Sequence, residues 1–375
     1  MRRGLKSVGA VAQIAAVIAS GALTSVLCFG QATGDGCRSL SEQIWYDIVP
    51  PRNAHSAGIV NVQSQSGHTS VVAIFSGIGS QRTDDYGEHW TPISEEAAKH
   101  VTQLWGKVAP SDPNTMYKYE SNGVITRSED GGKKWVKPSP TIDGKPAAQI
   151  ASAMSGELDY VIEFEITAIH PHKPLTIYAT LRVGPPRRPG GDDREQYAMK
   201  GMYVSDDGGS SWKEFSDAVG IFDKYPWSVV LGISPSNPDV MFGQGEQGVL
   251  RSDDGGKTWS SVGQNDLLNL QPLDTEDRDA GIRVPKRVPL NPTEFVFDPD
   301  SAQVVYILSR KGIHRSLDGG DTWTLLNVGF DRLGAIHNMA VDPVETKRLF
   351  VGTDRGLFIS EDRGCMFARM HTTEP

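Results

Sequence analysis

The sequence predicts an all-β chain folded as a six-bladed β-propeller of four-stranded antiparallel blades, and three observations support this. A box of the form Ser/Thr-x-Asp-x-Gly-x-x-aromatic recurs six times along the 375 residues. The chain contains 40 Gly and 23 Pro, spread rather than clustered, which indicates many short turns. Short apolar runs fall between these turns at similar intervals, as expected for a repeated strand unit.

The chain begins with a predicted signal peptide, residues 1 to 32. Its start is basic (Arg2, Arg3 and Lys6), an apolar stretch follows from 8 to 29, and a small-residue cleavage site lies at 30 to 32. An uncleaved anchor stays open as an alternative, because about 20 apolar residues can span a bilayer. We therefore expect export to the periplasm or the extracellular space, with no membrane span left in the mature chain.

Composition excludes several classes of protein. The 37 Lys and Arg stand against 46 Asp and Glu, a net charge of −9, so nucleic acid is excluded as a partner. An apolar content of 38% excludes a disordered chain. The sequence has no phosphate loop, catalytic Ser or Cys motif or zinc-ligand spacing, so we expect neither a cofactor nor a metal. The acidic run at 274 to 279 could hold calcium, but a solvated charge run is commoner. We expect a monomer.

Two cysteines remain once the leader is removed, Cys37 near the start of the mature chain and Cys365 near its end. In an oxidising compartment, such a pair can form a disulfide. The sequence therefore predicts a bond between Cys37 and Cys365, and two unpaired thiols stay open as the alternative.

Each box is predicted to form the turn between the third and fourth strands of a repeat whose strands we name A to D. A Pro-led A–B turn precedes five of the boxes, followed by an apolar run, a Gly and a second short run. Asp and Ser side chains can bond the N–H groups of such a turn, and Gly adopts the positive φ that other residues avoid. One such sheet cannot bury both faces alone, so the repeats are expected to pack radially. The box aspartates, expected to be structural, are Asp85, Asp130, Asp207, Asp254, Asp318 and Asp362.

The predicted domain organisation follows from where these repeats lie. Residues 58–375 are expected to form a single propeller, preceded by an N-terminal segment at 33–57. The stretch from 45 to 48 could add a strand that closes the ring, and the stretch from 367 to 370 is the alternative closing strand.

The six boxes resemble the Asp-box, or bacterial neuraminidase (BNR) repeat, of sialidases, xyloglucanase-type glycoside hydrolases, sortilin-type receptor domains and photosystem II assembly-factor propellers. The resemblance extends over about residues 58 to 370. It implies a propeller in which the boxes are folding elements on the blade periphery, and it implies little about activity. The early Arg-Ile-Pro signature of sialidases is missing. Xyloglucanase-type enzymes set two propellers face to face, whereas one propeller supplies half of that arrangement.

Comparison of the repeats with one another locates three insertions, near 141 to 160, 183 to 199 and 262 to 290. In an up-and-down blade the A–B and C–D turns lie on one face, here named the box face, and the B–C and D–A connections lie on the other, the loop face. The second insertion is a B–C loop and the other two are D–A connections. All three are therefore expected on the loop face, where long loops on a rigid scaffold commonly carry function.

The candidate functional residues lie on these loops and near the start of the A strands, which should line the channel. Aromatic rings beside charged groups suit a sugar or a peptide, with packing between blades as the alternative for the Trp residues. The candidate binding residues are Trp105, Tyr160, Arg182, Arg187, Arg194, Tyr197, Tyr225, Trp227, Arg283 and His337. The candidate catalytic carboxylates are Glu163, Glu165 and Glu294.

Two functions remain open from the sequence. The first is a non-catalytic binding or assembly module that recognises a protein, a peptide or a glycan through the loop face. The alternative is a glycoside hydrolase, xyloglucanase-like or, with less support, an exo-sialidase.

Overall fold

The computed structural model describes residues 57–65, 68–75, 79–94, 107–119, 125–155, 161–184, 198–216, 230–245, 248–263, 268–270, 287–289, 292–309, 312–326 and 335–370. Within these ranges, strands and tight turns predominate. No helix in this part of the chain is long and apolar enough to cross a membrane. The predicted signal peptide and the possible closing strand at 45 to 48 lie outside the described residues.

Consecutive stretches of the chain fold into separate antiparallel sheets. The first sheet contains β1 (Ala57–Gln65), β2 (His68–Phe75), β3 (Gly79–Thr83) and β4 (Thr91–Pro92). The second contains β5 (Lys107–Ala109), β6 (Asp112–Tyr119) and β7 (Ile125–Ser128), and Val136 bridges to Arg127 where a fourth strand would lie. Three short elements follow, β8 (Thr141–Ile142), β9 (Lys145–Pro146) and helix α1 (Ala147–Ser155). The third sheet contains β10 (Val161–Ile169), β11 (Ile177–Gly184), β12 (Ala198–Ser205) and β13 (Ser211–Ser216).

The remaining sheets repeat this plan. The fourth contains β14 (Leu231–Ile233), β15 (Met241–Gly245), β16 (Gly248–Ser252) and β17 (Ser260–Ser261). A two-stranded ribbon of β18 (Leu268–Leu270) and β19 (Arg287–Pro289) lies between it and the fifth sheet in sequence. The fifth contains β20 (Pro292–Asp298), β21 (Ser301–Ser309), β22 (Gly312–Ser316) and β23 (Thr324–Leu326). The sixth contains β24 (Ile336–Val341), β25 (Leu349–Thr353), β26 (Gly356–Ser360) and β27 (Ala368–Arg369).

The second strand is buried along its whole length in three of the sheets. Every residue of β11, β15 and β25 is buried. A strand loses its exposed face only when neighbouring sheets cover both sides of its own sheet. The sheets therefore stack face to face, and the core is a series of apolar layers between them.

These layers show the order in which the sheets pack. Phe242 of the fourth sheet packs with Phe295 and Trp323 of the fifth, and Phe350 of the sixth packs with Val71 of the first. The first strands also touch one another, β10 with β14, β14 with β20, β20 with β24, and β24 with β1. Because the last sheet meets the first, the predicted β-propeller of four-stranded antiparallel blades is confirmed. Its count of six blades stays a prediction.

The described Asp-box turns share the bonds from the Ser or Thr hydroxyl to the Asp, from the Gly N–H to that hydroxyl, and from a later backbone N–H to the Asp, and the fourth sheet shows them in full. The Ser252 hydroxyl donates to Asp254 Oδ1 at 2.8 Å and accepts the Gly256 N–H at 2.8 Å. Asp254 also accepts the Thr258 hydroxyl and backbone N–H, and these bonds with that from Ser252 hold the pKa of Asp254 down to about 2. Trp259 Nε1 donates to the Gly256 carbonyl at 2.9 Å. The box residues bond one another within the described turns, and the purely structural role of the box aspartates stays a prediction.

One insertion departs from its predicted position. Thr141 donates its N–H to the Ser210 carbonyl at 3.0 Å, and Asp143 donates to the Trp212 carbonyl at 3.1 Å. Strand β8 therefore runs parallel to the start of β13, beside the Asp box of the third sheet. The prediction that the whole stretch near 141 to 160 projects from the loop face is wrong for residues 141 to 146. The outer strand of the sheet has a free edge, and β8 pairs with it.

The sequence analysis also missed helix α1, which follows β9. Its sequence, AAQIASAMS, is rich in alanine, the residue with the highest helix propensity. Ala147 and Ala151 are buried, and Ala147 belongs to the apolar layer around Trp212. The first insertion therefore packs against the third sheet in this part.

Candidate functional site

Charged side chains converge at the loop-face end of the channel, because the A strands begin there. Val161 at the start of β10 pairs with Gly184 at the end of β11, so the connection from 185 to 197 leaves from the same end. Glu163 and Glu165 lie on β10 and Glu294 lies on β20, close to the start of each strand. We call this group, with Lys107 and Arg182, the channel cluster.

The channel cluster includes side chains from sheets that are not consecutive along the chain. Lys107 lies on β5 of the second sheet, and Glu294 lies three sheets further along the chain. Glu294 and Glu165 both exert an electrostatic effect on Lys107. Side chains from the second, third and fifth sheets are therefore close enough to influence one another.

Glu294 is a carboxyl group with an altered acidity. Burial raises the pKa of Glu294 to about 7, although Lys107 and a hydrogen bond from the Met339 backbone N–H both lower it. Part of the residue stays exposed to solvent. Near neutral pH this group can therefore both give and accept a proton.

Glu165 and Arg182 form an ion pair between β10 and β11. The Glu165 side chain is 45% exposed and that of Arg182 only 10%, so solvent reaches the carboxylate partner of the pair more than the guanidinium. Glu163, directly opposite Arg182 in the strand register, is buried at 3% exposure. Glu163 therefore lies within the sheet, and Glu165 is the more accessible of the two residues.

A second accessible pair lies on the sixth sheet. His337 Nε2 contacts Asp354 Oδ1 at 2.8 Å, and the Asp354 Oδ2 atom accepts the Ala335 N–H at 2.7 Å. This backbone hydrogen bond, with the charge of a protonated His337, lowers the pKa of Asp354. Asp354 lies in the B–C turn and His337 near the start of β24, so the pair belongs to the loop face.

The structure thus places Glu163, Glu165, Glu294, Arg182 and His337 at one end of the propeller. Their roles as catalytic or binding groups stay predictions. The other candidate binding residues lie outside the described residues: Trp105, Tyr160, Arg187, Arg194, Tyr197, Tyr225, Trp227 and Arg283.

Sequence reasoning did not single out Lys107. Its neighbours Val108 and Pro110 mark the A strand and its turn, so its place on an inner strand was visible. Its relation to Glu294 was not, because that relation depends on the closure of the ring.

The cavity between the second and third sheets is small. Its lining includes Ile125, Pro138, Phe164 and Trp212, and it holds about 30 Å³, the share of one water molecule. A drug-sized ligand needs a pocket of several hundred Å³. This cavity is therefore a packing defect between blades.

Among the described residues, one group of side chains has the spacing of metal ligands. Asp85, Glu88 and His89 in the first Asp box bring their ligand atoms within 4.8 Å of one another. Asp85 already serves its turn, since it accepts the Thr83 hydroxyl and the His89 N–H. The group lies on the box face, away from the channel cluster.

Cys365 is disulfide-bonded and lies in the sixth Asp box. Its partner is outside the described residues, so the pairing with Cys37 stays a prediction. Arg315 of the fifth sheet donates to the Cys365 sulfur at 3.5 Å and to the Arg363 carbonyl at 2.8 Å. The disulfide is thus anchored where two sheets meet on the box face.

Comparisons with known proteins agree with the repeat. The BNR/Asp-box repeat family matches residues 250–261, the fourth box with its flanking strands. The chain is 24% identical over 160 residues to the oligoxyloglucan-reducing end-specific xyloglucanase of Emericella nidulans, a match that covers 42% of this chain and 18% of that enzyme. The chain therefore spans about a fifth of that relative's length.

Two solved structures are similar at low identity. The GH74 enzyme of Niastella koreensis is 14% identical, with a TM-score of 0.40, over 85% of this chain and 55% of the enzyme. A structure of YCF48 bound to D1 peptide is 13% identical, with a TM-score of 0.34, over 81% of this chain and 78% of that one.

Proposed function

Because the chain is a β-propeller with BNR/Asp-box repeats, we propose that it is an exported, non-catalytic binding or assembly module that recognises a protein, peptide or glycan through its loop face. The observation that carries the proposal is the convergence of accessible charged groups at that end. The exposed carboxylates of Glu165 and Asp354 and the imidazole of His337 lie there together, paired but half open to solvent.

The half-exposed ion pairs at the loop face are better suited to binding a ligand than to stabilising the fold. Exposed ion pairs contribute little to stability, typically about 0 to 1 kcal/mol. The same groups can donate and accept hydrogen bonds at a defined geometry, which gives a polar ligand its orientation. The enlarged connections at 185 to 197 and 262 to 291 begin and end at the same face. A peptide or a glycan would meet both the loops and the charged groups.

The test is a screen of the secreted protein against a glycan array and a peptide array, followed by titration of each hit. His337→Ala should weaken binding of a true ligand by about tenfold, the loss of one charge-assisted contact of about 1.4 kcal/mol. His89→Ala is the matched control, because His89 also pairs with an aspartate, at 2.7 Å, but on the box face. Equal losses in the two variants, or none in His337→Ala, would refute the proposal.

A glycoside hydrolase is the second candidate, and Glu294 is the observation that favours it. A general acid works best when its pKa lies near the working pH, and burial raises that of Glu294 to about 7. Glu165 would supply the second carboxylate from β10. The partial match to a xyloglucanase makes xyloglucan the first substrate to test.

Turnover decides between the two candidates. The protein should be assayed on xyloglucan, a β-glucan panel and sialosides, together with Glu294→Gln, which keeps the shape of the side chain but cannot act as an acid. If the chain is a hydrolase, Glu294→Gln loses nearly all turnover, and wild-type activity falls as the pH rises through about 7 because the acid becomes ionised. No turnover on any substrate would leave binding as the function.

A further inference from the structure

We propose that the first Asp box binds a divalent transition-metal ion, zinc in particular, through the side chains of Asp85, Glu88 and His89. The inference goes beyond ligand recognition at the loop face, because these three residues lie on the box face. It rests on the positions of the three side chains, on the way in which the first box differs from the other five, and on the chemistry of the ligand atoms.

The box turn itself brings the three side chains together. The His89 N–H donates to Asp85 Oδ1 at 2.9 Å, so the residue four positions after the aspartate folds back over it. The Asp85 Oδ2 atom lies 2.7 Å from His89 Nδ1, and one ligand atom from each of the three residues lies within 4.8 Å of the others. One oxygen of Asp85 therefore holds the turn, and the other faces the imidazole.

The residue four positions after the box aspartate distinguishes the first box. In the third, fourth and fifth boxes a hydroxyl at this position donates to Oδ2 of the aspartate at 2.6 Å, from Ser211, Thr258 and Thr322 respectively. In the first box an imidazole takes the place of this hydroxyl, and Glu88 adds a carboxylate directly before it. Of the six boxes, the first is the one whose sequence places both a second carboxylate and an imidazole beside the aspartate.

The ligand atoms select the class of metal. An imidazole nitrogen with carboxylate oxygens suits zinc and its first-row neighbours, whereas calcium and magnesium take oxygen ligands. Zinc binds both kinds of atom at about 2.0 to 2.2 Å, so two ligands of a tetrahedral ion lie roughly 3.4 Å apart. The 2.7 Å between Asp85 Oδ2 and His89 Nδ1 has to widen by less than about 1 Å, and the His89 side chain is 85% exposed. Rotation of the side chains is therefore enough to fit the ion.

Solvent reaches all three ligands. Glu88 and His89 are exposed and Asp85 is half-buried, so an ion enters without local unfolding. Three protein ligands leave a tetrahedral ion one further position, which water can take. A simple ion pair between His89 and Asp85 is the alternative use of these groups. The two uses differ in one requirement, because the ion pair does not need the Glu88 carboxylate and the metal site does.

The experiment is a calorimetric titration of the purified protein, without a histidine tag and freed of metal by a chelator, with zinc chloride at pH 7.5. His89→Thr is the matched variant, because threonine at this position completes the turns of the fourth and fifth boxes. We expect this variant to bind zinc at least about tenfold more weakly than the wild type, with a similar urea midpoint. Equal zinc affinity in a folded His89→Thr protein would overturn the proposal.

Two further arms test the ligand set and the class of metal. Glu88→Gln removes the second carboxylate and leaves the pair of His89 and Asp85 in place, so zinc affinity should again fall at least about tenfold. An unchanged affinity would show that the pair alone accounts for the bound zinc, and the site with three ligands would be wrong. Calcium chloride should bind far more weakly than zinc chloride, and equal affinities would refute the class of metal.

The fourth box allows a site to be built rather than removed. It has Asp254 at the position of the ligating aspartate, followed by Lys257 and Thr258 at the positions of the other two ligands. The double variant Lys257→Glu, Thr258→His should therefore bind one more zinc ion per chain than the wild type. A folded double variant that takes up no additional zinc would show that the geometry of the box does not make a metal site.

Discussion

The hydroxyl of Ser252 is expected to be one of the most costly single groups to remove from the propeller. Ser252 is 1% exposed, and its oxygen takes part in three hydrogen bonds, two of 2.8 Å with Asp254 Oδ1 and the Gly256 N–H and one of 3.3 Å with the Asp254 N–H. Ser252→Ala leaves the buried Gly256 N–H without a partner. A buried donor without its bond costs about 1 to 3 kcal/mol, which for a domain of this size lowers the melting temperature by roughly 2 to 6 °C.

The chain provides its own control for this substitution. Thr83 occupies the equivalent position in the first box, where its hydroxyl donates to Asp85 at 2.7 Å and accepts the Gly87 N–H at 2.8 Å. Ser252→Thr should therefore keep the three bonds and most of the stability. Urea unfolding followed by Trp fluorescence measures both variants. If Ser252→Ala unfolds at the wild-type midpoint, or Ser252→Thr loses as much as Ser252→Ala, the box hydroxyl does not stabilise the turn as argued.

Three other outcomes test the same turns and their surroundings. Gly256 has φ +88°, and an added Cβ would lie 2.1 Å from a carbon of the Phe215 ring, so Gly256→Ala should lower the free energy of unfolding by more than about 3 kcal/mol. At Gly255 the nearest contact of an added Cβ is 3.4 Å, so Gly255→Ala should lower it by only about 1 to 2 kcal/mol. Similar urea midpoints for the two variants would contradict this. The pKa of Asp254 is about 2 in the folded protein, below that of an ordinary carboxyl, so its ionised form stabilises the fold above pH 4 and this contribution is lost as the pH falls through about 2. In Asp254→Asn the urea midpoint should therefore fall less steeply over this pH range. A slope equal to that of the wild type would contradict this. Non-reducing mass spectrometry of the purified protein should find Cys365 linked to Cys37, and a different partner or a free thiol on Cys37 would disprove the pairing.

The box turns could be predicted from sequence because their interactions are local. Ser252, Asp254 and Gly256 lie within five positions of one another, and a hydroxyl, a carboxylate and a positive-φ glycine at this spacing define a turn whatever surrounds it. Repetition of that turn then predicts equal sheets, and equal sheets that cannot bury both faces alone predict a closed ring.

The features that the sequence did not predict depend on how distant parts of the chain meet. The length of the first insertion was visible, but its pairing with Ser211 and Trp212 requires knowing which sheet edge is free. Lys107 and Glu294 influence each other only because the fold brings the first strands of the second and fifth sheets near one another. Helix α1 is different, since its alanine-rich sequence carried a local signal that could have been used.

Hydrogen bonds between neighbouring sheets on the box face explain why the loop face can vary in sequence and length while the box face is the same in each repeat. Arg127 on the second sheet donates to the Asp207 carbonyl in the box of the third, and Arg251 on the fourth sheet donates to the Gly319 carbonyl in the box of the fifth. Such bonds fix adjacent blades at the box face, where the turns are nearly identical. The positions of the strands at the loop face then do not depend on the B–C and D–A connections. Long or charged segments can accumulate at the loop face at little cost to folding, which is why the channel cluster and the accessible His337 pair lie at that end.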